Sequence, residues 1–345
     1  CYKKHSMSKK NSNAILKNGF KDFEDLSKIY LNFKNKLNKL NKKSYLIAVS
    51  GGPDSLALAA LSKAYNCEKK SIFHYVLVDH NIRKDSSKEA KQVKSLLIKN
   101  SITLNVILNK VKVDKNIQGQ ARDLRYKNLI NFCKKKKVKF ILTAHNLEDQ
   151  VETFFIRLSR GSGLTGLSAM KPLSKLNNDI KLYRPLLDVK KKALIKISKY
   201  VFKKYFKDPS NKDNKYLRTR IRNLKEPLKQ SGINYDQVIK SINNLASSRA
   251  TLDGFLIKIF KETIKKTKNK ILIDLKKFNN FNNEIKMRII NEAIKKLKNN
   301  YYNPRSKKVI RLIESLKSRS FSGYTLGGCL FIKINGKLCL KEEKN

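Results

Sequence analysis

The stretch 45-YLIAVSGGPDSLALAALSKAY-65 runs from one apolar segment through Ser-Gly-Gly-Pro-Asp-Ser into another. Two adjacent glycines lose much backbone freedom on folding, so their place between apolar runs needs a reason. A plain strand-to-helix turn explains the glycines but not the serines and the aspartate around them. A phosphate cradle explains all six positions. Gly51 and Gly52 allow positive φ and close approach of a phosphate, and successive N–H groups at the start of the next helix form an anion nest around Pro53. Ser50 and Ser55 add hydroxyl donors. Asp54 is a poor partner for phosphate but a good ligand for Mg²⁺ carried by phosphates. The pattern GxxxxGK[ST] is absent, so this is not a P-loop, and it is not GxGxxG either.

Working outward, strand candidates lie at 45–49, 72–78, 102–108 and 138–143, with helix candidates near 55–65, 85–99, 118–133 and 147–159. This alternation predicts an α/β fold, an open parallel sheet with helices on both faces. A helix is expected over 22–40 behind a basic, mobile tail at 1–20. Further helices are expected near 188–206 and 217–230. Beyond about 235 the pattern changes to amphipathic segments at 236–247, 251–264 and 284–298, a helix after Pro304, and a β-hairpin at 328–342 turning at Asn335-Gly336. The expected division is 1–43 (tail and first helix), 44–230 (nucleotide-binding domain) and 231–345 (a smaller helical and β region that contacts nucleic acid).

The 345 residues carry 78 Lys+Arg against 27 Asp+Glu, a formal net charge of +51. A polyanionic partner is the physical reading, since cations on the protein displace counterions from phosphates. A biased base composition in the encoding genome is the alternative, because Lys, Asn and Ile crowd the whole chain. The five cysteines are scattered and form no CxxC, which points away from zinc ribbons and sulfur relays and toward a reducing cytoplasm. No apolar run approaches the ~20 residues that span a bilayer, and the charged N-terminal stretch lacks the apolar centre of a secretory signal. No membrane association is expected.

In open parallel sheets ligands bind beyond the carboxyl ends of the strands. Ser50 follows the first strand, Asp79-His80 the second and His145 the fourth. The segment 144-AHNLEDQVET-153 adds Glu148, Asp149 and Glu152, three carboxylates within one helical turn of each other. An acidic N-terminus favourable to the helix dipole is the structural alternative, with His145 merely near the cap. In 118-QGQARDLRY-126, Arg122, Arg125 and Tyr126 share a face that could clamp phosphates or stack on a base, or could simply be solvated. Arg160-Gly161 follows the acidic helix as a C-terminal cap or a substrate loop. Asp208 and Asn211 read as a turn, followed by Arg218, Arg220 and Arg222.

Taken together, SGGPDS at 50–55, 78-VDHNIRKDSSKEA-90, 116-NIQGQARDLRY-126, 144-AHNLEDQVETFFIRLSRGSGLTGLSAM-170, 184-RPLL-187 and 208-DPSNKDNKYLRTRIR-222 resemble, in order and spacing, the tRNA(Ile)-lysidine synthases of the PP-loop ATP pyrophosphatase superfamily. The resemblance is strong over about 45–225 and loose beyond. It implies ATP and Mg²⁺ as cofactors, free lysine and the CAU-anticodon isoleucine tRNA as substrates, and a C–N ligase that adenylates C2 of the wobble cytidine before lysine displaces AMP. It implies catalytic roles for Asp54, Glu148, Asp149, Glu152 and Arg122. Ser50 to Ser55, Asp79, His80 and His145 would then line the nucleotide pocket. Arg125, Tyr126, Arg160, Gly161, Asp208, Asn211, Arg218, Arg220 and Arg222 would face lysine or tRNA. Where the family commonly carries Asp-Asp, this chain has Glu148-Asp149. A homodimer is left open. The competing readings are another PP-loop tRNA modifier, such as a thiolase, and a non-catalytic basic RNA-binding protein.

Overall fold

A computed structural model describes residues 16, 18, 20–80, 85–109, 117–177, 179–206, 213–267, 269–298 and 304–343. Asp208, Asn211 and the first six residues lie outside them. The chain folds as two compact units, 1–246 and 247–345.

The first unit is built on a six-stranded sheet of order β3-β2-β1-β4-β6-β5. Its strands are β1 (Ser44–Val49), β2 (Ile72–Asp79), β3 (Leu104–Leu108), β4 (Phe140–Leu142), β5 (Leu173–Lys175) and β6 (Lys181–Tyr183). All pairings are parallel except that of the edge strand β5 with β6. The helices are α1 (Glu24–Leu40), α2 (Pro53–Glu68), α3 (Ser86–Ile98), α4 (Ile117–Lys135), α5 (Leu147–Leu158), α6 (Leu164–Leu167), α7 (Lys191–Phe202), α8 (Leu217–Asn223) and α9 (Lys225–Gln230). The long α10 (Tyr235–Thr263) contains the boundary between the units.

Alternation along the strands explains the layering. Tyr45, Ile47 and Val49 of β1, with Tyr75 and Leu77 of β2, face a core shared with α1, α2, α3 and α7. Leu46, Val76 and Val78 point the other way, onto Leu129 and Cys133 of α4. Helix α2 is buried nearly all round, as its LALAAL run requires of a helix sandwiched between the sheet and α7. A third cluster joins Leu147 and Val151 of α5 to Val238 and Ile242 of α10.

Three sequence expectations change here. Leu16 and Phe20 are buried in the first core together with Leu26, Tyr30, Phe33 and Leu37 of α1, so the end of the expected mobile tail is packed. Lys36 Nζ also donates to Pro185 O at 2.8 Å and binds Asp188 Oδ1 at 2.6 Å, which fastens α1 to the RPLL segment and the residue after it. Helix α1 is thus part of the first unit's core rather than a separate segment, and the boundary between the units falls at 246/247 rather than 230/231. Finally, 236–247 and 251–264 form one continuous helix.

In the second unit, β7 (Ile264–Lys266), β8 (Lys270–Asp274), β9 (Tyr324–Leu326), β10 (Cys329–Ile334) and β11 (Lys337–Glu342) form an antiparallel sheet of order β7-β8-β11-β10-β9. Helices α11 (Leu275–Asn279), α12 (Asn283–Lys298) and α13 (Ser306–Ser315) complete the unit, and Ile289, Ile290, Val309 and Leu312 pack with Phe331 and Leu340. The expected hairpin is present, with Asn335 and Gly336 at φ 46° and 70° as a type I′ turn demands. It lies inside a larger sheet, with β8 paired to β11 and β9 to β10.

Candidate functional site

The strand order places β1 beside both β2 and β4, so the chain winds outward in two directions from β1. The crevice between the carboxyl ends of β1 and β4 is the switch point where α/β sheets bind ligands. The 50–55 loop leaves one side of it, and 143–149 leaves the other.

Gly51 sits at φ +79°, and a Cβ there would lie 2.6 Å from Val93 Cγ2. Only glycine fits. Its carbonyl accepts the Phe206 N–H at 3.0 Å. Gly52 is different: it caps α2 at φ −69°, and nothing lies closer to its missing Cβ than Ser50 Oγ at 3.8 Å. The expected positive φ is thus needed once, and the second glycine leaves open space above the helix N-terminus. Ser55 also departs from expectation. Its hydroxyl donates to Gly52 O at 3.0 Å and accepts Ser50 N–H at 3.1 Å and Ser50 Oγ at 3.2 Å. Both serine hydroxyls brace the loop.

Asp54 Oδ1 is buried and has no hydrogen-bond partner. Burial raises its pKa to about 6, opposed by Lys191 and reinforced by Asp149 and Glu148. Lys191 Nζ stands 3.9 Å from Asp54 Oδ2.

On the facing side, Asn146 caps α5. Its Oδ1 accepts Asp149 N–H at 3.0 Å, and Asp149 Oδ2 accepts Asn146 N–H at 3.0 Å, a reciprocal capping box. Asp149 Oδ1 takes Arg218 Nη2 at 2.6 Å. Glu152 is buried and takes Arg218 Nε at 2.6 Å and Arg222 Nε at 2.7 Å. Glu148 Oε2 accepts the backbone N–H of Lys191 at 2.8 Å, the first residue of α7. Every member of the acid cluster therefore ties α5 to another element. Arg218 and Arg222, expected toward substrate, are paired with these acids, while Arg220 is exposed.

His145 lies beyond β4, bonded to Thr143 Oγ1 at 2.9 Å. Burial, with Arg184, Arg122, Arg218 and Arg125 around it, lowers its pKa to about 3, so the imidazole is neutral among four guanidiniums. His80 accepts Arg125 Nε at 3.1 Å, and burial with that arginine lowers its pKa to about 4. Asp79 is buried and accepts Ser87 Oγ at 2.7 Å, which joins the end of β2 to α3. Arg122 lies over the Tyr126 ring at 5.1 Å, so the face expected from the R-x-x-R-Y spacing exists.

The PP-loop domain family matches residues 26–227. A tRNA(Ile)-lysidine synthase from Wolbachia pipientis is 34% identical over 306 residues, covering 87% of this chain and 70% of that protein. The chain belongs to the tRNA(Ile)-lysidine synthase family. A relative of the same name from Rickettsia typhi is 31% identical, covering 92% of this chain and 73% of its own. Among solved structures, a U34-tRNA thiolase from Methanococcus maripaludis superposes with a TM-score of 0.54 at 18% identity, covering 64% of this chain and 79% of the thiolase. That likeness speaks for the fold alone.

Against the tRNA(Ile)-lysidine synthase pattern, three residues of the site carried no sequence expectation. Asn146 was legible as N-x-x-D at a helix start. Arg184, of the quoted RPLL, is buried and donates through Nη1 to Lys171 O at 2.8 Å and Ser174 Oγ at 3.0 Å. Leu186 fills the core, so the RPLL segment is an anchor that leads into α7. Lys191 is one of seven lysines between 190 and 204, and nothing in the sequence distinguishes it. Two other expectations take structural form. Gly161, at φ +64°, closes α5 with Ser162 N–H on Arg157 O at 3.1 Å and its own N–H on Leu158 O at 2.9 Å, a Schellman cap. Arg160 beside it is exposed.

Proposed function

We propose that this chain ligates free lysine to C2 of the wobble cytidine of the CAU-anticodon isoleucine tRNA. ATP adenylates the C2 oxygen with loss of pyrophosphate, and the lysine ε-amine then displaces AMP. The observation that carries this reading is the meeting of the 50–55 loop and the 146–152 acid turn across the β1/β4 crevice, in a member of this family.

The open space at Gly52 and the N–H groups that begin α2 suit the pyrophosphate portion of ATP. Asp54 suits a magnesium ion, because its buried Oδ1 lacks a partner. No group of three or more His, Cys, Asp or Glu among the described residues could hold a metal, so phosphate oxygens would complete the coordination. The ion would neutralise charge that develops on the phosphates. Asp54 and Glu148 give that side of the crevice a negative field that draws the lysine ammonium, while the charge of Asp149 is met by Arg218. Arg122, Arg125 and Arg184 oppose it with positive charge suited to the nucleotide and the RNA backbone. Arg122 and Tyr126 offer a stacking platform for the splayed cytidine. The excess of Lys and Arg attracts tRNA at long range. A cytoplasmic setting goes with this reading, and Cys67, Cys133, Cys329 and Cys339 are free thiols in keeping with it. No helix of the described residues is long and apolar enough to cross a membrane.

The test is incorporation of radiolabelled lysine into the CAU tRNA with ATP, read by mass spectrometry of the nucleoside. Lysidine is expected. A folded protein that adds no lysine overturns the proposal, and a thiolated nucleoside would assign the chain to the sulfur-transferring relatives.

A further inference from the structure

The 50–55 loop has no lysine of its own, unlike a P-loop. The fold brings one to it from far along the chain. Lys191 is the first residue of α7, and its Nζ stands 3.9 Å from Asp54 Oδ2. That separation is too long for a strong hydrogen bond, so the ammonium is attracted to the carboxylate without being closed onto it. Its backbone is not free to drift. Glu148 Oε2 accepts the Lys191 N–H at 2.8 Å, and Leu194, Ile197 and Val201 of α7 are buried in the core that holds α2. The Lys191 side chain is about one third exposed, so it reaches the crevice from the rim.

We propose that Lys191 is the phosphate-binding cation of this loop, contacting the β- and γ-phosphates of ATP and the pyrophosphate that leaves. This rests on the nucleotide chemistry proposed above, but not on which acceptor is modified. Without nucleotide, Lys191 offsets the charge of Asp54 in a setting that includes Glu148 and Asp149. With Mg²⁺ and phosphates bound, Asp54 would serve the metal and the ammonium would meet phosphate oxygen. The two residues would exchange partners, so that neither is left without a counter-charge when the nucleotide binds.

Binding of inorganic pyrophosphate to the full chain, measured by calorimetry without tRNA or lysine, tests this. Lys191→Met is expected to weaken it about tenfold or more, as loss of a charge-assisted phosphate contact does. Lys191→Arg is expected to keep most of the affinity. In an Asp54→Asn background, Lys191→Met must still weaken binding. Wild-type affinity in Lys191→Met overturns the proposal, as does an effect that disappears once Asp54 is neutralised, since Lys191 would then act only through the carboxylate. A wild-type chain that binds pyrophosphate but adds no lysine to tRNA would fail the proposed function and leave the role of Lys191 standing.

Discussion

Glu152 accepts Arg222 Nε at 2.7 Å from a position almost wholly shielded from water, and the same carboxylate takes Arg218 at 2.6 Å. One acid therefore fastens two successive turns of α8 to α5. A buried pair contributes little net stability against an apolar substitute, but removing one partner is costly because the remaining charge is left uncompensated. Glu152→Ala is expected to lower the unfolding free energy by about 3 kcal/mol, at the low end for buried pairs because both guanidiniums keep solvent contact. Urea denaturation measures it. A loss under about 1 kcal/mol would show that α8 is held by other contacts.

The spacing that made this cluster visible in the sequence did not reveal its wiring. Glu148, Asp149 and Glu152 were legible as acids on one turn, and Arg218 and Arg222 as cations four apart, because helical geometry is local. That the two sets neutralise each other depends on 66 to 70 residues of intervening chain. The parallel sheet and the loop at 50–55 were legible for the same local reason, since each rests on apolar periodicity and glycine placement, whereas the switch point between β1 and β4 follows from a strand order that no local pattern carries. The three-residue strands β5 and β6 carry no period to read, and Lys191 is hidden among identical neighbours.

Asp54 is strained by its surroundings, with a folded pKa raised from 3.8 to about 6 chiefly by burial. A raised carboxyl pKa means that the charged form is penalised in the folded state. The penalty is absent below pH 3.8, grows between about 4 and 6, and is complete above. Asp54→Asn is therefore expected to stabilise the chain by about 3 kcal/mol at pH 7.5, with the gain fading as pH falls to 4. The same variant is expected to lose pyrophosphate release. Thermal melts across pH, beside a pyrophosphate assay, check both. Destabilisation at pH 7.5 would mean that Lys191 already compensates the charge fully.

The same titration sets an acid limit on activity. Below about pH 6 Asp54 takes up a proton, and in the proposed role it would then no longer serve a metal. His145 and His80, with pKa values near 3 and 4, stay neutral through this range and contribute nothing to the limb. Single-turnover pyrophosphate release is expected to fall tenfold per pH unit below 6. Raising Mg²⁺ is expected to shift the limb to lower pH, because the metal competes with the proton. A limb indifferent to Mg²⁺ would point to a different group.

The two glycines of the loop separate stability from binding. Gly51 needs its φ of +79°, and a methyl group would press on Val93 at 2.6 Å. Left-handed backbone costs a non-glycine residue about 1–2 kcal/mol, and the contact with Val93 adds to that. Gly51→Ala is thus expected to lower stability by about 2 kcal/mol or more and to disturb the Phe206 hydrogen bond. Gly52 has ordinary dihedrals and no neighbour nearer than 3.8 Å. Gly52→Ala should leave the denaturation midpoint close to that of the wild type, yet place a methyl group in the space expected to hold the phosphates. ATP affinity in that variant is expected to fall about tenfold or more, an effect of excluded approach rather than of unfolding. Paired urea melts and equilibrium ATP binding distinguish the two. Were Gly52→Ala to bind ATP as the wild type does, the phosphates would have to lie elsewhere along the crevice.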